Sequence, residues 1–197
     1  VGYESLELRA VEEGEQTKYE ARLMKAGMKI DRGALIKGLA LDSIHNSWQS
    51  ADITNALVDL GTSSILAVGM NEKREPWQIG IRNPRGADRV DIIAVLPLSN
   101  EVLSVSGDDE RYFIYDGRRF HHLIDPRTGY PAETGLASAA VILPLETENP
   151  MWKEHMGVLS DMLSTAVFVL GADEGKRLIV NFPETLTVLV GTDGRIL

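Results

Sequence analysis

Between residues 56 and 117 one strand-forming run follows another with a turn signal after each, which confines this part of the chain to hairpins. Residues 56–68 hold strand-like runs interrupted by Gly61-Thr-Ser-Ser64, and residues 77–81 alternate before the turn Asn83-Pro84-Arg-Gly86. Residues 90–98, 101–105 and 112–115 supply three more runs, the last closed by Asp116-Gly117, a two-residue hairpin signal. Upstream, residues 5–9 alternate like a half-buried strand, Glu12-Glu-Gly-Glu15 reads as a turn, and residues 18–24 as the returning strand. Downstream, 137–143 reads as a buried strand, and 186–190 with 196–197 as a terminal hairpin around Thr192-Asp-Gly-Arg195.

Three stretches have helical period instead. Leu35, Ile36, Leu39, Ala40, Ile44 and Trp48 predict a helix opened by Gly33 and ended before Ser50. Residues 151–170 predict a long apolar helix closed by Gly171, and 173–180 a second one. Hairpin strands punctuated by a few long helices predict the α+β class, a largely antiparallel sheet with helices packed on one side. No repeat or linker divides residues 1–197, so one domain is expected.

With 197 residues, 44% of them hydrophobic, the chain can bury a sizeable core, and no segment reaches membrane-spanning length. A net charge of −9 opposes a nucleic-acid polyanion, so no nucleic-acid partner is expected. The absence of cysteine removes disulfides, thiolate catalysis and thiolate metal ligands together. The chain opens on Val1 in the middle of a strand-like pattern, without an initiator Met or a signal sequence, and reads as a fragment.

Polar chemistry concentrates in residues 119–131, where two histidines, an aspartate, an arginine and a threonine share a segment that Pro126, Gly129 and Pro131 hold in a fixed turn. If that segment is extended, His121 and His122 face opposite ways. Asp125 precedes a proline and is biased to extended backbone, where it either orients His122 or braces the turn. Asp161 and Thr165 are four apart on one face of an otherwise apolar helix. A carboxylate there needs a backbone, arginine or metal partner, while a hydroxyl such as that of Thr165 ordinarily bonds its own helix carbonyl. Asp31 precedes a helix N-terminus that either takes the carboxylate as a cap or attracts a phosphate. Lys37, in the first turns of that helix, either reaches a phosphate or is solvated. Ser106-Gly107 ends a strand with a hydroxyl and an unhindered backbone, and Gly61-Thr-Ser-Ser64 lacks the spacing of a dinucleotide fingerprint.

Asp31-Arg-Gly-Ala-Leu-Ile-Lys-Gly-Leu-Ala-Leu-Asp42, Ser106-Gly107, His122-Leu-Ile-Asp-Pro-Arg-Thr-Gly-Tyr-Pro131 and Asp161-Met-Leu-Ser-Thr-Ala166 stand in an order and spacing similar to those of the ApbE family of flavin transferases. The chain resembles the C-terminal two-thirds of that family and lacks its N-terminal region. The resemblance implies a magnesium-dependent enzyme that splits FAD at its pyrophosphate, attaches FMN to a threonine or serine of an acceptor protein and releases AMP. It implies His122 and Asp125 as the catalytic residues, with His122 as the base. Flavin contacts are implied at Asp31, Lys37, Ser106, Gly107 and Ile124. Magnesium ligands are implied at the carbonyl of Ala34, at Asp161 and at Thr165, with Ser164 where some members carry a second aspartate. An acceptor in a membrane redox complex and a location on the outer face of the cell membrane or in the periplasm are further implications. An FAD pyrophosphatase and a non-catalytic flavin-binding module are the alternatives.

Overall fold

Nine residues without a charge, Leu-Ala-Ser-Ala-Ala-Val-Ile-Leu-Pro, form an interior strand of the main sheet, and eight of them are buried. The computed structural model describes every residue except Val1, Glu15, Thr62 and Arg89, and of Gln16 the backbone alone. The expected turn at residues 12–15 and the interruption at 61–64 therefore lie partly outside the described residues. In chain order the elements are β1 (Leu6–Glu13), β2 (Gln16–Leu23), α1 (Ile36–Ser50), β3 (Ala56–Asp59), β4 (Ser64–Val68), β5 (Trp77–Arg82), β6 (Ile92–Leu98) and β7 (Glu101–Gly107). They continue with β8 (Tyr112–Tyr115), β9 (Arg118–His121), β10 (Leu136–Pro144), α2 (Met156–Leu170), α3 (Ala172–Ile179) and β11 (Leu186–Gly191).

The main sheet runs β11-β10-β7-β4-β3, with every neighbouring pair antiparallel. Side-chain alternation divides its two faces. Leu66, Val102, Val141 and Leu143 point to the helices and pack with Leu41, Leu159 and Leu163. Ile65, Leu103, Ala140 and Ile142 point the other way, to Ile79, Ile81 and Leu98 of the β5–β6 hairpin. The helices thus share one side, as the α+β expectation has it, and a hairpin covers the other. β1 and β2 pair over eight residues, and β8 with β9 over four. Asp116 and Gly117, both at positive φ (47° and 72°), close the β8–β9 hairpin in the way a two-residue turn requires.

Two helix starts differ from the sequence reading, one because backbone turns precede the helix and one because a carboxylate takes the first free N–H group. The long helix starts at Met156 and not at 151, since Trp152 and His155 close turns back onto Asn149 and Trp152. Helix α1 starts at Ile36 and not at Gly33, because the Gly33 N–H donates to Oδ1 of Asp31 at 2.7 Å and residues 33–35 form a turn. Gly171 ends α2 at φ 85° and at once opens α3. Among the described residues no helix is long and apolar enough to cross a membrane.

Candidate functional site

Helices α1 and α2 cross at their N-terminal ends through two glycines. A Cβ on Gly38 would lie 2.2 Å from the Gly157 carbonyl oxygen, and one on Gly157 would lie 2.4 Å from that of Gly38. This approach lets each helix cap the other. Asp42 of α1 accepts hydrogen bonds from the Gly157 N–H at 2.6 Å and the Val158 N–H at 3.0 Å, and Oδ2 of Asp161 accepts from the Gly38 N–H at 3.0 Å. Neither helix carries a side-chain cap of its own, so the neighbour's carboxylate replaces it. Asp161 is 7% exposed, and burial raises its pKa against the opposing pull of the Gly38 N–H and the Lys37 charge. Burial raises Asp42 in the same way, against the same kind of backbone bonds.

One turn further along α2, three hydroxyls meet. Ser106 of β7 lies 2.9 Å from the Ser164 oxygen and 3.0 Å from that of Thr165. The Ser164 and Thr165 hydroxyls both donate to the Asp161 carbonyl, at 2.9 and 3.3 Å. Ser164 is wholly buried in this cluster, whereas Thr165 borders open space.

Residues 121–132 lie over the far end of α2, where Leu123 and Ala132 pack on Val167 and Phe168. The two histidines do face opposite ways. His121 is buried, edge-on to Phe168 at 5.5 Å. Its Nδ1 accepts from the Leu123 N–H at 3.3 Å, so Nε2 carries the proton and donates to the Ala132 carbonyl at 3.1 Å. Burial lowers its pKa. His122 faces outward. Its backbone N–H and its Nδ1 both point at the Arg111 carbonyl, at 3.2 and 3.3 Å. A carbonyl can only accept, so Nδ1 carries the proton, and in the neutral ring Nε2 has the lone pair. Asp125 does not touch His122. It accepts from the backbone N–H of Arg127 at 2.8 Å and from its guanidinium at 2.8–3.1 Å, while its carbonyl takes the Gly129 N–H at 2.8 Å. The Arg127 guanidinium holds the Asp125 carboxyl below the usual carboxylate range. Asp125 therefore braces the turn, on the border of a separate hollow of about 260 Å³.

All these elements open on one cavity of about 420 Å³. The start of α1 contributes Asp31, Ala34 and Lys37, β7 contributes Ser106 and Gly107, the loop His122 and Ile124, and α2 Asp161 and Thr165. Of the residues singled out in the sequence, Asp125 and Ser164 are the two that do not line it. Ser63, Glu110 and Arg111 line it without having been anticipated. Ser63 accepts a hydrogen bond from Nζ of Lys37 and so fixes the lysine at the rim. Counting back from the Asp116-Gly117 turn, residue 111 falls opposite 122, a signal that was present in the sequence.

The donor set suits magnesium better than a softer ion. A carboxylate, a hydroxyl and a backbone carbonyl are hard oxygen donors. Among the described residues no three acidic, histidine or cysteine side chains converge as a metal cage. An ion held by Asp161 alone among charged groups would need phosphate oxygens to complete its shell, which is the ordinary mode for magnesium.

The ApbE family model matches residues 1–190. The chain belongs to the ApbE family. It is 34% identical over 186 residues to the FAD:protein FMN transferase of Treponema pallidum, covering 90% of this chain and 48% of that protein. With the enzyme of the same name from Haemophilus influenzae it shares 33% over 178 residues, 89% of this chain and 48% of that protein. The crystal structure of the ApbE protein from Thermotoga maritima superposes at a TM-score of 0.77 with 31% identity, over all of this chain and 57% of that one. The flavin transferase ApbE from Vibrio cholerae superposes at 0.74 with 25% identity, over all of this chain and 55% of that one. The chain thus spans about half the length of the curated ApbE relatives it matches.

Proposed function

We infer that this chain carries the phosphate and base side of an FAD:protein FMN transferase, which in the full-length protein moves FMN from FAD to a threonine or serine hydroxyl of an acceptor protein. The observation that carries this reading is the fixed tautomer of His122. With Nδ1–H donating to the Arg111 carbonyl, Nε2 is the free lone pair in a cavity that also holds Lys37, Asp161 and Thr165. In the step, the acceptor oxygen bonds to the FMN phosphorus and the bond from that phosphorus to the bridging oxygen breaks. AMP leaves, and the hydroxyl proton passes to Nε2 of His122. Lys37, steadied by Ser63, offsets phosphate charge at the mouth of α1. Asp161, Thr165 and the Ala34 carbonyl would hold magnesium. When bound, the ion supplies charge neutralisation on the pyrophosphate.

The same constellation would hydrolyse FAD if water replaced the acceptor hydroxyl, and product analysis separates the two readings. Full-length protein incubated with FAD, magnesium and an acceptor is expected to release AMP and leave flavin covalently on the acceptor. Free FMN with an unmodified acceptor would replace the transferase by a pyrophosphatase, and intact FAD would remove the activity altogether.

A further inference from the structure

The β8–β9 register sets Tyr112 opposite His121. One step further, Arg111 is opposite His122, and the bond from the His122 N–H to the Arg111 carbonyl, 3.2 Å, continues the ladder. Residues directly opposite in an antiparallel pair share a face, with Cβ atoms about 4.5–5.5 Å apart. The inward face of this pair is taken by buried His121, so Arg111 and His122 stand together on the outward face, and both line the cavity.

The charge of Arg111 has been left uncancelled by its neighbours. Three acidic residues, Asp108, Asp109 and Glu110, immediately precede it. Arg85 holds Asp108 with two bonds of 2.7 and 2.6 Å, and Arg82 reaches Asp109 at 2.7 Å and Glu110 at 3.2 Å. Arg118, Arg119 and Arg127 have anionic partners as well, Glu133, Asp108 and Asp125. Between residues 82 and 127, Arg111 is the one described arginine whose side chain has no ion pair or hydrogen bond. In a chain of net charge −9, an anion entering this cavity meets a repulsive mean field unless local cations offset it. A guanidinium does so with a planar fork matched to phosphate oxygens.

We propose that Arg111 is a substrate-binding residue of this site, whose guanidinium takes non-bridging oxygens of a dinucleotide pyrophosphate next to Nε2 of His122. It adds a second cationic residue to the cavity that Lys37 lines from α1. The proposal rests on the flavin-dinucleotide reading above, and deepens it by assigning phosphate recognition to a residue that also fixes the His122 tautomer through its carbonyl.

The test uses full-length protein and four ligands, FAD, riboflavin, inorganic pyrophosphate and ADP, with Arg111→Gln and Arg111→Lys variants. Arg111→Gln should weaken FAD and pyrophosphate binding by about tenfold or more, the loss expected for a charge-assisted bond. Riboflavin, which has no phosphate, should bind the variant as it binds wild type. Arg111→Lys should recover part of the FAD affinity, and the melting temperature should not move, because the side chain has no protein partner to lose. Equal FAD and pyrophosphate affinities in wild type and Arg111→Gln would overturn the proposal, as would a parallel loss of riboflavin binding. Wild-type protein that binds these phosphates without transferring flavin would overturn the transferase reading and leave Arg111 as a phosphate residue. Wild-type protein that binds none of them would overturn both.

Discussion

Of the two adjacent histidines His121 is buried and His122 exposed, and the buried one should couple its protonation to the fold. His121 has a pKa lowered from 6.5 by burial, so the unfolded chain binds a proton over a range where the folded one does not. Its contribution to stability is complete above 6.5 and is lost as the pH falls through the lowered folded value. Protonation of Nδ1 would also set an N–H against the Leu123 N–H that it now accepts. The melting temperature should therefore fall on acidification below the ordinary histidine range, and less steeply in His121→Gln, allowing for His45, whose pKa burial lowers with the same sign. An unchanged slope would show that His121 does not couple to the fold. At Asp161 the prediction concerns a buried charge. Asp161→Asn keeps an oxygen for the Gly38 N–H and removes the carboxylate that burial penalises, so the metal-free variant should melt no lower than wild type. Magnesium with a pyrophosphate ligand should raise the melting temperature of wild type and not that of the variant. A variant stabilised equally by magnesium would remove Asp161 from the metal site.

Among the elements, the crossing of α1 and α2 sets where the cavity's charges stand. Asp42→Ala would leave the Gly157 and Val158 N–H groups without their acceptor, at about 1–2 kcal/mol, or roughly 2–4 °C in melting temperature for each kcal/mol. Gly38→Ala puts a methyl against the Gly157 carbonyl and should cost about 1–3 kcal/mol or more, since backbone has to move. Thermal melts check both, and a melt unchanged by Gly38→Ala would mean the helices are further apart than described here. These contacts also show where sequence reading stops. Helical period located α1 and α2, and Asp31 marked the turn before α1 locally, but the carboxylates that take the first N–H groups of α2 and the Gly38 N–H of α1 lie 115 and 123 residues away, which no local pattern carries. The strands were legible because alternation and turn residues are local, and so was the opposed orientation of His121 and His122. The support given to Thr165 by Ser106 arises from the packing of α2 on β7, and the freedom of Arg111 from pairing by Arg82 and Arg85 on another hairpin. Asp125 was legible as part of the turn from its place before Pro126, but the choice between bracing it and orienting His122 rests on its contacts with Arg127, and Ser164 gave no local sign that it would turn into the core and away from the cavity.

At the scale of the whole molecule, the described residues supply the walls to which the proposed function gives phosphate and proton, and few that would hold a flat ring system. Ile36 and Ile124, at 46% and 45% exposure, are the exposed large apolar residues of the cavity, and among the described residues no Phe, Tyr or Trp lines it. Rings supply most of the apolar area a flavin site buries, so the isolated 197-residue chain should bind FAD much more weakly than the full-length protein. Titration calorimetry on the two would show it, and equal affinities would place the ring pocket within this chain. In the proposed function His122 takes the proton of an acceptor hydroxyl beside an Asp161-dependent ion. The most direct test of this assignment is in-gel flavin fluorescence on a denatured acceptor after reaction with full-length wild type, His122→Asn and Asp161→Ala. Wild type is expected to give a labelled acceptor. With His122→Asn labelling should slow by about 10²-fold or more while FAD remains bound, and with Asp161→Ala it should be absent. Acceptor labelled at the wild-type rate by either variant would contradict the assignment.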